Sequence, residues 1–111
     1  MKDGKMLFAT ILVISAFLGA VGQLLFKLGL SSSLGMLVAF IAAGFIAYVI
    51  STVLYFYILG RSHLSWAYGF GGLSYIFATV FASVVIGETV SLTRWIGVIV
   101  IFIGVVLIGL S

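Results

Sequence analysis

Five residues of the first hydrophobic run, Ser15, Gly19, Gly22, Gln23 and Lys27, are spaced to gather chemistry on one surface. In a helix of about 3.6 residues per turn, positions i, i+4, i+7, i+8 and i+12 return toward the same side. The stripe combines a hydroxyl, an amide, two positions without bulk and a terminal ammonium. Charged and amide donors of this kind suit an anion, because charge-assisted hydrogen bonds are the strong ones. Further polar groups follow. Tyr48, Ser51, Thr52 and Tyr55 share a face, and the stretch Trp66-Ala67-Tyr68-Gly69-Phe70-Gly71-Gly72-Leu73-Ser74-Tyr75 places Tyr68 and Tyr75 seven residues apart. The candidate substrate-binding set is therefore Ser15, Gly19, Gln23, Lys27, Tyr48, Ser51, Tyr68, Ser74 and Tyr75.

Other chemistries lack their residues. Cysteine is absent, and a single His63 with one membrane-proximal acid, Glu88, makes no metal-ligand cluster. No nucleophile with a base and no carboxylate pair is visible, so neither an enzyme nor a cofactor is expected. The net charge of +3 comes from dispersed cations rather than a basic tract, which excludes a nucleic-acid footprint.

The elements that must position these groups follow from composition. The 111 residues are 65% hydrophobic and 6% charged, with a mean hydropathy of +1.49. No soluble domain of this length hides so much apolar surface, so the chain is integral to a bilayer, with membrane lipids as partners. A spanning helix takes about 20 apolar residues. Polar clusters divide the chain into four such runs, about 6–30, 34–60, 64–87 and 92–110. The connections are short, so consecutive helices pack as antiparallel hairpins in one all-α transmembrane domain, 1–111. The first run is too long for a cleavable signal and is followed by three like it, so it is expected to remain. Lys2, Lys5 and Arg61 fall on one side of the membrane, Lys27 and Arg94 on the other; this bias places both termini inside a plasma (inner) membrane, crossed several times.

Each run carries further expectations. Gly19 and Gly22 can serve close helix approach as well as a pathway, and Lys27 can snorkel to the interface. Ala39, Ala42, Ala43, Gly44 and Ala47 form a close-packing flank on the second run. Tyr57 suits an aromatic belt. Three glycines within four residues, Gly69, Gly71 and Gly72, predict either a bend in the third helix or a groove for a neighbouring one. Gly97 and Gly104 share a face of the nonpolar fourth run and read as a dimer interface. Glu88 and Arg94 are spaced to pair across the last loop.

Taken together, Gly22-Gln23-Leu24-Leu25-Phe26-Lys27, Ala67-Tyr68, Gly87-Glu88, Trp95-Ile96-Gly97 and Ile103-Gly104-Val105 resemble the four-helix members of the drug/metabolite transporter superfamily. That group holds small multidrug resistance-like and EamA-like chains. The segment around Gly22, Gln23 and Lys27 looks closest to the flippase subunits for undecaprenyl-phosphate aminoarabinose. Small multidrug resistance proteins carry a glutamate eight residues before the lysine, and this chain has Gly19 there. Both branches usually have a proline shortly before the Ala-Tyr pair, where this chain has His63.

The resemblance implies a small transporter. The residues and the resemblance together lead to a flippase or exporter of a lipid-linked or amphipathic anion, with Lys27 attracting phosphate and Ser15 and Gln23 bonding the headgroup. Two alternatives stand beside it: a multidrug or small-metabolite transporter of the small multidrug resistance type, and a non-transporting assembly subunit. Four helices enclose little, so a homodimer or a heterodimer with a paralogous four-helix subunit is expected.

Overall fold

The computed structural model describes residues 2–111, with side-chain surroundings from Gly4 onward, so the placement expected of the Lys2 side chain at one membrane face lies outside the described residues. The elements are α1 (Lys2–Leu30), α2 (Leu34–Leu59), α3 (Leu64–Gly69), α4 (Gly72–Phe81), a π-helical turn (Ala82–Ile86) and α5 (Leu92–Leu110). They form four helical spans long and apolar enough to cross a bilayer: Gly4–Leu30, Leu34–Leu59, Leu64–Ile86 and Leu92–Leu110. All four expected runs are present, with ends shifted by a residue or two.

The ends of the spans fall where polar side chains can take up the last helical carbonyls, which have no partner within the helix. Ser31 and Ser32 donate to the carbonyls of Lys27 and Leu28 at the end of α1. At the end of α2, Ser62 donates to Ile58 O and Arg61 to Tyr57 O. The start of α5 is capped by Ser91, whose hydroxyl accepts from the amide of Arg94 at 3.2 Å. Among the described residues no Glu88–Arg94 ion pair forms, so the Ser91 cap orders that loop instead.

α1 and α2 pack most extensively, as an antiparallel pair. Their seam follows a seven-residue period. Ser15 meets Ser51, and Gly22 meets Gly44 so closely that a Cβ on Gly22 would stand 3.0 Å from Gly44 O. Gly29, a further seven residues on, faces Phe40 and Ile41. Small residues let the backbones touch, which is how helices associate in lipid, where burying apolar surface gives no drive. Of the flank expected on α2, Gly44 is buried and Ala47 half-buried, whereas Ala39, Ala42 and Ala43 face outward. The seam needs one small residue per two turns, not a continuous run.

The third span is interrupted where its glycines cluster. Amides of Phe70, Gly71, Leu73 and Ser74 each bond the carbonyl three residues back, between 2.9 and 3.2 Å. The helix tightens rather than opens, and these four amides keep carbonyl partners across the interruption. The same glycines also form a groove for α5. A Cβ on Gly69 would lie 2.7 Å from Ile108 Cδ1, and one on Gly72 would lie 2.9 Å from Ile101 Cγ2. A tightened turn and a groove thus coexist.

The span ends at Gly87, whose φ of 79° lies in the left-handed region. Both its amide and that of Glu88 return to Ala82 O, which widens the last turn and folds Glu88 back beside α4. The core is small: Leu12, Ala16, Ile58, Ala67, Phe70, Leu73 and Val105 cluster where the spans meet. The whole measures 49 × 33 × 18 Å, a slab rather than a rounded bundle.

Candidate functional site

A cavity of about 290 Å³ lies midway along the spans, between α1, α2 and the tightened turn of the third span. Ser15, Gly19, Tyr48, Ser51, Tyr68 and Ser74 line it, joined by Thr52, Tyr55 and Phe70. Among the described residues, no carboxylate or ammonium contributes to its wall. Tyr68, 71% exposed, stands at its mouth.

Two of its hydroxyls are already engaged. Ser15 Oγ donates to Ser51 O at 2.7 Å, and Ser51 Oγ donates to Ser15 O at 2.6 Å. Each hydroxyl hydrogen is spent on the opposite backbone, leaving only acceptor lone pairs for a guest. A headgroup bonded at Ser15, as expected from the sequence, would in this arrangement meet an acceptor oxygen. Thr52 is engaged too, donating within its own helix to Tyr48 O. Gly19 is the opening among them, since a Cβ there would meet Ser51 Oγ at 3.1 Å and Ser74 Oγ at 3.5 Å.

Gln23 and Lys27 do not reach this cavity. They line a smaller one of about 150 Å³ with Ala78, Ala82, Ile86 and Glu88. The reason is angular. At about 100° per residue, Gly22 lies roughly 20° to one side of Ser15, whereas Gln23 and Lys27 lie roughly 80° and 120° to the other. The stripe read as one face is therefore divided between the α2 seam, the central cavity and the α4 side.

Tyr75 is separated from Tyr68 as well. It lines a third cavity, of about 230 Å³, with Thr79, Glu88 and Arg94. Turns with three-residue bonding advance each residue by roughly 20° more than an α-helix does, so the tightened segment swings Tyr75 away.

Glu88 is the group that sequence reasoning placed least well. It borders both outer cavities, with Lys27 across one and Arg94 across the other. Its position was available from the span count, because the ends of the first and third spans must lie at the same membrane face. The αL turn at Gly87 adds the fold-back that brings it beside Lys27.

Gly97 and Gly104 lie to one side of the face by which α5 packs on the third span, and a Cβ at either would meet nothing within 4 Å. The sequence model of the EamA-like transporter family matches residues 4–110. The chain belongs to the EamA-like transporter family. No curated protein and no solved structure matches it. For this EamA-like chain, a family of transporters and four apolar spans make it a small membrane transport protein. Its cavities lie along that membrane-crossing part.

Proposed function

We propose that this chain moves an amphipathic, phosphate-bearing lipid of the polyprenyl-phosphate type across the plasma membrane, as a flippase or exporter. One observation carries the reading: the central cavity is lined by hydroxyls and aromatic faces without a carboxylate, and one to two turns farther along α1 stand the amide of Gln23 and the ammonium of Lys27. A buried acid is what a cation path needs, and none lines this one; Lys27, Arg94 and Glu88 together leave a positive excess at its end. In this reading Lys27 draws the phosphate and Gln23 bonds its oxygens. Tyr48, Tyr68, Ser74 and Tyr75 face the headgroup in transit, and the hydrocarbon remains in lipid. Gly19 leaves room where a side chain would block the way.

A single chain is too thin to close such a path. A slab 18 Å across with Tyr68 exposed at the cavity mouth supports a second copy, or a paralogous four-helix subunit, as the missing wall. The open side of α5 at Gly97 and Gly104 is the seam this reading assigns.

The test is lipid flipping in reconstituted vesicles with a fluorescent polyprenyl phosphate. Lys27→Ala and Gln23→Ala are expected to slow it, and Lys27→Arg to retain it. Unchanged flipping in both alanine variants would sink the assignment. A second reading, export of small organic cations, draws on the ring faces of Tyr48, Tyr55 and Tyr68 around the central cavity. Protection of cells against quaternary ammonium compounds that survives Lys27→Ala would favour it.

A further inference from the structure

At the end of the molecule away from Lys27, a cavity of about 450 Å³ opens where the start of α1, the turn between α2 and α3, and the end of α5 meet. Lys5, Arg61 and His63 line it, together with Ser62, Ser65 and Trp66. Among the described residues no carboxylate side chain does so; Gly4, Phe8 and Ser111 complete the lining.

Two of the cations stand against aromatic rings, and among the described residues no acid pairs with either. Lys5 Nζ sits 5.8 Å from the centre of the Trp66 ring, and the Arg61 guanidinium stacks 3.8 Å from that of Tyr57 while donating one N–H to Tyr57 O. Neither contact neutralises charge, and Arg61 keeps its other N–H groups. In addition, Trp66 Nε1 is the buried side-chain nitrogen that has no hydrogen-bond partner among the described residues. An indole N–H can only donate, and with the atom closed to solvent this donor lies behind the cavity wall rather than on its surface.

We infer that this cavity, ringed by Lys5, Arg61 and His63, is a binding site for the phosphate of an anionic membrane lipid. A phosphate supplies a counter-charge for Lys5 and Arg61 and acceptor oxygens for the N–H groups that Arg61 keeps free. The lipid source follows from depth: the cavity lies at the ends of membrane-spanning helices, flanked by Trp66 and Tyr57, residue types that sit at headgroup level. The site is separate from the path proposed above and does not depend on it.

The chain has two tryptophans, so a Trp95→Phe background leaves Trp66 as the sole reporter. In nanodiscs of neutral lipid, raising the fraction of phosphatidylglycerol is expected to shift the Trp66 emission along a saturable curve. The Lys5→Gln/Arg61→Gln pair is expected to move half-saturation to roughly tenfold higher lipid fraction or beyond. The Lys5→Arg/Arg61→Lys pair, which keeps both charges, is expected to retain the response and to guard against simple misfolding. An emission indifferent to anionic lipid, or a response equal in the glutamine pair, overturns the site. A shift produced by inorganic phosphate in neutral nanodiscs overturns the lipid assignment.

Discussion

Ser15 and Ser51 exchange hydrogen bonds across the α1–α2 seam, each hydroxyl donating to the other's backbone carbonyl, with the two oxygens 3.2 Å apart. The pair acts as a unit, so its members are expected to be non-additive. Ser15→Ala and Ser51→Ala are each predicted to destabilise the chain, and a double-mutant cycle in mixed micelles to return a coupling of about 0.6 to 1.7 kcal/mol, the range for polar contacts between membrane helices. Additive losses would show that the two hydroxyls work independently.

Seven residues farther along the same seam, a side chain on Gly22 has no room. Its Cβ would press on Gly44 O and on Tyr48 Cβ, at 3.0 and 3.3 Å, and backbone cannot step aside as a flexible side chain can. Gly22→Leu is predicted to cost about 1–3 kcal/mol or more through overpacking. Gly97→Leu, in open space, is predicted to leave the stability of the single chain unchanged; if α5 is the seam between copies, cross-linking yield falls in that variant alone.

The groove for α5 can be tested by exchange of volume. Gly72→Val is predicted to destabilise by driving a side chain into Ile101 Cγ2, 2.9 Å from the added Cβ. Ile101→Ala in the same chain is predicted to restore much of the loss, by about 1 kcal/mol, because the two sites share one space. Thermal unfolding of the three variants decides it, and a double variant worse than the sum would refute the groove.

Gly87 holds a conformation that a Cβ disfavours, at φ 79°. Gly87→Ala is predicted to cost about 1–2 kcal/mol, the penalty for an L-residue in the left-handed region. Open space around the position means that strain, and not a clash, is the cause. Gly87→Asn, a residue type that tolerates this region, is predicted to be milder than Gly87→Ala. Equal losses would point elsewhere.

Glu88 shares a small cavity with Lys27 and Gln23. On the proposed anion path, its charge competes with the substrate for the ammonium. Glu88→Gln is predicted to lower the half-saturating concentration of an anionic lipid up to about fivefold, since exposed ion pairs contribute roughly 0.2 to 1 kcal/mol. Transport assays over a range of substrate densities read this directly, and a weaker apparent affinity would contradict it.

The spans were legible because hydropathy over some twenty residues is a collective signal that no single side chain overrides. The seam partners were not. Ser15 and Gly22 look like members of one polar stripe with Gln23 and Lys27 until α2 is placed, because a pattern around one helix does not say which neighbour takes which arc. Tyr75 illustrates a different loss: its direction depends on how the backbone winds between Ala67 and Ser74, and glycine-rich sequence permits both α and tighter turns. Glu88 required the turn at Gly87 as well as the span count. The family-level reading came through, since it rests on order and spacing along residues 4–110 rather than on the orientation of one side chain.

Phe70 belongs to two walls at once. Its ring, 5% exposed, borders the hydroxyl-lined central cavity and also an apolar groove of about 470 Å³ bounded by Val13, Leu73, Phe77, Phe102 and Val105. One aromatic ring is therefore the partition between a hydroxyl-bearing compartment and an oily one. A smaller side chain at that position would thin the partition from both sides at once, so the two compartments are not independent of each other.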